Sequence, residues 1–269
     1  MRTIHSSIVT IASIVASSAP AGAWPRVWAP GPTAPAEVPS DAQGGAERPN
    51  PAVALPHPLV VEVLYAVPTG QAGDANQDGT RHVSGDEFIE LVNPHDKPIQ
   101  LLGYTLADGA KSEKTKLRFT FPACELPPGG VVVVFNGKDA TWTGPVGDAK
   151  AAPAKGNEKF HGALVFTMRV GSTRTALGNQ GDEVTLIAPN NKPVQRIRWG
   201  TAAEGAKPDP EIPLEETVPV ATKSSVQRSG VEAGAAWKAH TEIDRRPFSP
   251  GEFGAIAIRD PAPEPEHKP

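Results

Sequence analysis

Apolar and polar positions alternate along this chain in short runs bounded by proline, glycine and asparagine. Leu59-Val60-Val61-Glu62-Val63-Leu64-Tyr65 is rich in β-branched residues and follows a proline, so it reads as a first strand. Glu87 to Val92 reads as a second, and apolar residues on both of its faces predict a central place in a sheet. Asn93-Pro94-His95-Asp96 has the chemistry of a turn. The strand rhythm continues through Pro98 to Leu106 and Leu117 to Phe121, where Leu117, Phe119 and Phe121 share one face. Val131-Val132-Val133-Val134-Phe135 resists a helix and suits a buried strand. Leu164 to Met168, Glu183 to Ile187 and Val194 to Trp199 restore the pattern, with Asn190-Asn191 as a hairpin turn between the last two. Ser224 to Arg228 is a candidate last strand. Two polar stretches, 137–161 and 200–218, interrupt the rhythm and read as long loop insertions. Roughly eight or nine short strands at this spacing predict an all-β fold, an antiparallel β-sandwich.

One stretch carries candidate chemistry. Asp74, Asn76 and Asp78 stand at alternate positions and are followed by Gly79, which is the opening of an EF-hand ligand loop. Calcium takes about six to eight oxygens, and alternate side chains on a tightly turning backbone can converge on one point. The likeness ends at Gly85, where an EF-hand has a bidentate glutamate; Asp86 and Glu87 follow directly. The expectation is a structural Ca2+ held by Asp74, Asn76, Asp78, Thr80, Asp86 and Glu87. A polar turn in which the same side chains cap their own backbone is the alternative. Glu87 and Glu90, three apart in a strand, point to opposite faces and so do not form a catalytic pair. Glu90 is expected to accept a structural hydrogen bond or ion pair, because a lone buried carboxylate is costly.

Other polar residues give less. His57, His82, His95, His161 and His240 have no metal-ligand spacing, and Ser224, Ser225, Ser229 and Ser249 lack a nucleophile-elbow setting. Cys124 reads as a small core residue. Lys111, Lys114, Lys116 and Arg118 form a local basic run, and Arg196 and Arg198 share one strand face. These read as a solvated face, with an anion- or polysaccharide-binding patch as the alternative.

Composition then sets limits. A formal charge of −4 does not describe a general nucleic-acid binder, whose domains are usually strongly basic. One cysteine excludes an intramolecular disulfide. Arg2, the apolar stretch from Ile8 to Val15 and Ala21-Gly22-Ala23 have the order of a secretory signal peptide over 1–23. The segment 24–57 is rich in Pro, Ala and Gly and reads as a disordered linker, 58–254 as the folded domain, and 255–269 as a Pro-rich acidic tail. Export to the medium, the periplasm or the cell envelope is expected, with no transmembrane segment after cleavage.

The series VVEVLYA, DANQDG, DEFIELVNPHDKPIQLLGYTLAD, FTFPACELPPGGVVVVFNG and LGNQGDEVTLIAPNNKPV, closed by SSVQRSG, a tryptophan, a histidine and SPGE, resembles a secreted bacterial lamin-tail domain. The resemblance runs from about Leu59 to Glu252 and is interrupted by the two insertions. It implies an immunoglobulin-like sandwich and a binding or targeting module rather than a catalyst. The expected function is therefore an exported, non-catalytic binding or structural module with a calcium-stabilised loop. Its partner would be a macromolecule, either a protein or an envelope polysaccharide. The alternative is an accessory-domain protein of a secreted hydrolase or nuclease system.

Overall fold

The computed structural model describes residues 50–254 except 111, 113 and 173. The expected signal peptide, all but the end of the linker and the acidic tail lie outside the described residues. Among the described residues there are thirteen strands: β1 Leu59–Leu64, β2 Phe88–Val92, β3 Ile99–Gln100, β4 Thr105–Asp108, β5 Arg118–Thr120, β6 Glu125–Leu126, β7 Val131–Phe135, β8 Leu164–Thr167, β9 Gly181–Ile187, β10 Pro193–Gly200, β11 Leu214–Thr217, β12 Val226–Arg228 and β13 Trp237–Ala239. They form a six-stranded sheet in the order β13-β12-β1-β2-β7-β8, a five-stranded sheet in the order β11-β10-β9-β4-β5, and the small pair β3-β6. This is the β-sandwich that the alternation predicts, immunoglobulin-like as the resemblance implies.

Two pairings depart from the antiparallel expectation, because β7 with β8 and β10 with β11 run parallel. A parallel neighbour cannot be reached by a tight hairpin and needs a crossover connection. The crossovers are the two insertions: one joins Phe135 to Leu164, the other Gly200 to Leu214. Neither insertion is a pure loop, since 137–161 contains a 3-10 turn at Glu158–Phe160 and 200–218 contains β11. The sequence reading missed β11 because Leu214-Glu-Glu-Thr has one apolar residue and no alternation. Residues 98–106 also differ from one expected strand, splitting into β3 and β4 around Gly103 at φ 83°, a left-handed position suited to glycine.

The main core lies between the sheets. Ile89, Leu91, Val132 and Val134 from the first meet Leu106, Phe119, Leu186 and Ile197 from the second. Tyr65 stacks on Trp199 with ring centroids 4.4 Å apart and planes 9° from parallel. A second apolar cluster occupies the other face of the six-stranded sheet, where Leu64, Phe88, Val133, Phe135 and Val165 are covered by Val67, Ala75, Phe160, Trp142 and Phe248. That explains why β2 and β7 are buried on both faces. Packed chain also starts before residue 58: Val53 is buried and Pro51 bridges to Glu232, so the last residues of the expected linker belong to the fold.

Candidate functional site

The acidic loop between β1 and β2 is closed by its own side chains. Asp74 accepts from the backbone N–H of Asp78 at 3.1 Å and of Gly79 at 2.9 Å, and Asn76 Oδ1 accepts from Asp78 N–H at 3.0 Å. Asp78 accepts from Thr80 N–H at 2.8 Å with one oxygen and from Thr141 N–H at 2.9 Å with the other. Asp86 accepts from Asn76 N–H at 2.9 Å and His82 N–H at 2.6 Å. Burial pushes the Asp86 carboxyl up to about 6; those two N–H groups oppose the shift, and the nearby charges of Asp74 and Asp78 add to it. Asp74, Asn76, Asp78, Thr80 and Asp86 are thus brought together. Among the described residues no three His, Cys, Asp or Glu side chains stand as a preformed metal group. Gly85, at the position where an EF-hand has glutamate, has a steric reason: a Cβ there would lie 2.3 Å from the Lys138 carbonyl oxygen.

Glu87 does not join the loop's carboxylates. Its Oε2 accepts from Leu177 N–H at 3.1 Å and from the Asn136 amide at 3.3 Å. Burial raises its pKa well above the usual value; the Leu177 and Asn136 donors counter this, and Asp182 and Asp108 reinforce it. The alternation of β2 sends it away from Asp86, so a ligand role for Glu87 does not fit these contacts.

The polar residues in and beside β2 follow one rule. Asp86 fixes the acidic loop, Glu87 the segment at Leu177, and Glu90 the segment at Gly251, whose N–H it accepts at 2.6 Å. Asn93 donates to the carbonyls of Lys97 at 2.8 Å and Leu126 at 3.0 Å, and accepts from His95 N–H at 3.0 Å. Each ties a different part of the chain to one central strand. Glu90 is structural, as its place in the sequence implies.

A buried polar network beside them was not visible in the sequence. Glu62 faces Glu90 across the β1–β2 pair. It accepts from Ser225 Oγ at 2.6 Å, from the Gln227 amide at 2.9 Å, and from Ser249 N–H and Oγ at 3.1 and 3.0 Å. His240 Nε2 lies 2.8 Å from Ser249 Oγ, and its Nδ1 donates to the Arg246 carbonyl at 2.8 Å. His240, to which its spacing in the sequence gives no role, is 1% exposed and sits inside the fold. The sequence names Ser225, Ser249 and His240 as residues without catalytic or metal-ligand spacing, and SSVQRSG and SPGE close the resemblance, but nothing in it joins them to Glu62. Although Ser249, His240 and Glu62 are a serine, a histidine and a carboxylate in contact, they make no hydrolytic triad. The imidazole Nδ1 is given to a carbonyl rather than a carboxylate, and Ser249 is buried.

On the outer face of the five-stranded sheet, Arg196 and Arg198 are matched by acids. Arg198 Nε lies 2.9 Å from Glu183, Arg196 Nε 3.4 Å from Glu183, and Arg196 Nη1 3.4 Å from Glu215. Arg198 also pairs with Glu215. A shallow depression on this face is lined by Asp108, Lys116, Arg118, Thr185 and Arg196. Cys124 packs against the main core, and burial pushes its thiol up to about 11, away from nucleophilic use. Among the described residues no helix is long and apolar enough to cross a membrane.

A family model described as Lamin Tail Domain matches residues 59–201, just over half of the chain. No curated protein matches it.

Proposed function

The chain belongs to the lamin tail domain family, a non-catalytic immunoglobulin-like fold family, and on that premise we propose that it is an exported binding or structural module. The observation that carries this reading is the use made of its buried acids. Glu62, Asp86, Glu87 and Glu90 all accept hydrogen bonds that hold backbone segments or core side chains, so each is engaged in architecture. The partner is a protein or an envelope polysaccharide rather than nucleic acid, given the net charge of −4. Mass spectrometry of the exported fraction should find Trp24 as the first residue. The immobilised chain should retain a defined envelope protein or polysaccharide fraction, and retention should weaken when Arg118 and Lys116 are replaced. Full-length protein recovered in the cytosol alone, or hydrolysis of an envelope or nucleic-acid substrate, would overturn the reading.

Calcium stabilisation of the acidic loop belongs to the same proposal. Asp74, Asn76, Asp78, the Thr80 carbonyl and Asp86 are its ligands; Glu87 is left out because its contacts lie elsewhere. The mutual repulsion of Asp74, Asp78 and Asp86 is what a divalent ion would relieve. Binding requires these side chains to exchange their N–H partners for the ion, which points to modest affinity. At free calcium ~100 times the dissociation constant the folded state should gain about 2.7 kcal/mol. The gain should shrink as pH falls through about 6, where Asp86 takes up a proton and ceases to be a ligand. Equal melting temperatures in calcium and in chelator at neutral pH would leave only the self-capped turn.

A further inference from the structure

The segment after β13 returns to the outer face of the six-stranded sheet and is held there by two neighbouring carboxylates. Glu62 on β1 and Glu90 on β2 are register partners, and both are fully buried. Ser249 N–H donates to Glu62, and Gly251 N–H donates to Glu90 Oε2. Phe248 packs edge-on to Phe88 beside them, with centroids 6.4 Å apart. Gly251 has φ 90°, and a Cβ there would meet the Phe160 carbonyl oxygen at 2.4 Å, so the strap runs in direct contact with the cover of the second core.

The two carboxyls are unequally served. Glu62 takes donors from Ser225, Gln227 and Ser249 and has the His240 imidazole close by. Glu90 takes only Gly251 N–H; its Oε1 is buried and has no hydrogen-bond partner among the described residues. The charges that face the pair are these two, His240 from the turn after β13 and Glu252 from the strap itself. Glu252 is occupied in turn by Arg246 and His161. From β7 the neighbour of Glu90 is Val133, which is apolar. Among the described residues no cation contacts Glu90, so two full negative charges here would repel each other across the β1–β2 pair.

We propose that residues 247–252 form a latch that stays closed while the Glu62–Glu90 pair holds one proton, and that loss of this proton to solvent opens it. Burial raises the pKa of Glu90, the charge of Glu62 raises it further, and Gly251 N–H opposes both. Since the folded-state pKa lies above the free value of 4.5, the latch is fully stabilised below about 4.5 and weakens as pH rises through the folded value. The direction is opposite to acid release: the strap loosens on the alkaline side. Its release uncovers Phe88 and Phe160, so the latch also controls an apolar surface.

Hydrogen exchange of the full chain, corrected for the intrinsic pH dependence of exchange, tests this. Protection of the amides around Ser249 and Gly251 should fall by up to about tenfold per pH unit, the slope of one proton, while Val131–Phe135 holds. E90Q, the neutral isostere, should keep the strap protected and flat with pH. Gly251→Ala should open it at every pH. Infrared difference spectra should show, over the same pH window, loss of a protonated carboxyl signal that persists when Asp86 and Glu87 are replaced by Asn and Gln and that E90Q lacks. Strap protection that tracks the valine strand at all pH values overturns the proposal. So does a pH slope retained in E90Q, or the absence of any carboxyl signal.

Discussion

Asp78 and Glu87 lie nine positions apart, and sequence spacing assigns both carboxyl groups to one ion. Their surroundings separate them. Asp78 sits in a surface loop and accepts from Thr80 and Thr141 N–H. Glu87 is buried and holds Leu177 N–H and the Asn136 amide. Replacing Asp78 with Ala should leave the fold intact and remove most of the calcium response in thermal melts. Replacing Glu87 with Ala should cost about 1–3 kcal/mol, because it strands buried donors, and should leave the calcium response as it was. A Glu87→Ala chain of normal stability that no longer answers calcium would return Glu87 to the ligand set. The spacing rule fails at this residue for a simple reason. Loop residues are free to converge, whereas a residue entering a strand must take the face that alternation gives it.

The elements with a strong local signal were legible, and those held by distant partners were not. Four successive valines and the Phe88-Ile-Glu-Leu-Val run announce central strands without help from the rest of the chain. β11 carries no such signal and is a strand because β10 offers it a parallel edge. The insertion over 137–161 shows the same limit from the other side. Its polar composition suggests a free loop, yet Trp142 and Phe160 each pack tilted against Phe135 with centroids 5.4 Å apart. Asn157 binds it internally by donating to the carbonyls of Thr143 and Pro145 at 3.0 and 3.1 Å. The other insertion is mostly exposed from Thr201 to Glu211. Mild proteolysis should therefore cut first within 201–211 and spare 137–163, since exposed backbone with few contacts is the preferred site. Early cleavage within 142–160, identified by mass spectrometry of the fragments, would show that this cover detaches easily from the sheet.

At the scale of the whole molecule, the matched family segment ends at residue 201 while the fold does not. β12 is the neighbour of β1, pairing Glu62 with Gln227 and Val63 with Val226. Tyr65, stacked on Trp199 in the main core, also receives Ala221 N–H at 2.6 Å and donates to the Pro219 carbonyl at 3.2 Å. Among the described residues the Glu62 carboxylate draws its hydrogen-bond donors from Ser225, Gln227 and Ser249, and Ser249 lies 187 positions away. No local pattern can announce a bond of that span, which is why the strap and its histidine were not read from the sequence. A chain cut after residue 201 would leave β1 as a sheet edge, strip Glu62 of these donors and uncover the apolar side chains that β12 and the strap pack against. The cut also removes Val218, Ala221, Val226 and Val231 from the main core and Phe248 from the second, and each fully buried large apolar side chain contributes about 1.5–3 kcal/mol against a total stability of roughly 5–15 kcal/mol for a domain. With Glu90 losing Gly251 as well, residues 50–201 should fail to fold cooperatively, whereas 50–254 should melt in one sharp transition. Near-ultraviolet circular dichroism of the tryptophans and calorimetry of the two fragments distinguish these outcomes. A cooperative melt of 50–201 close to that of 50–254 would mean that the C-terminal strands decorate the sandwich instead of completing it.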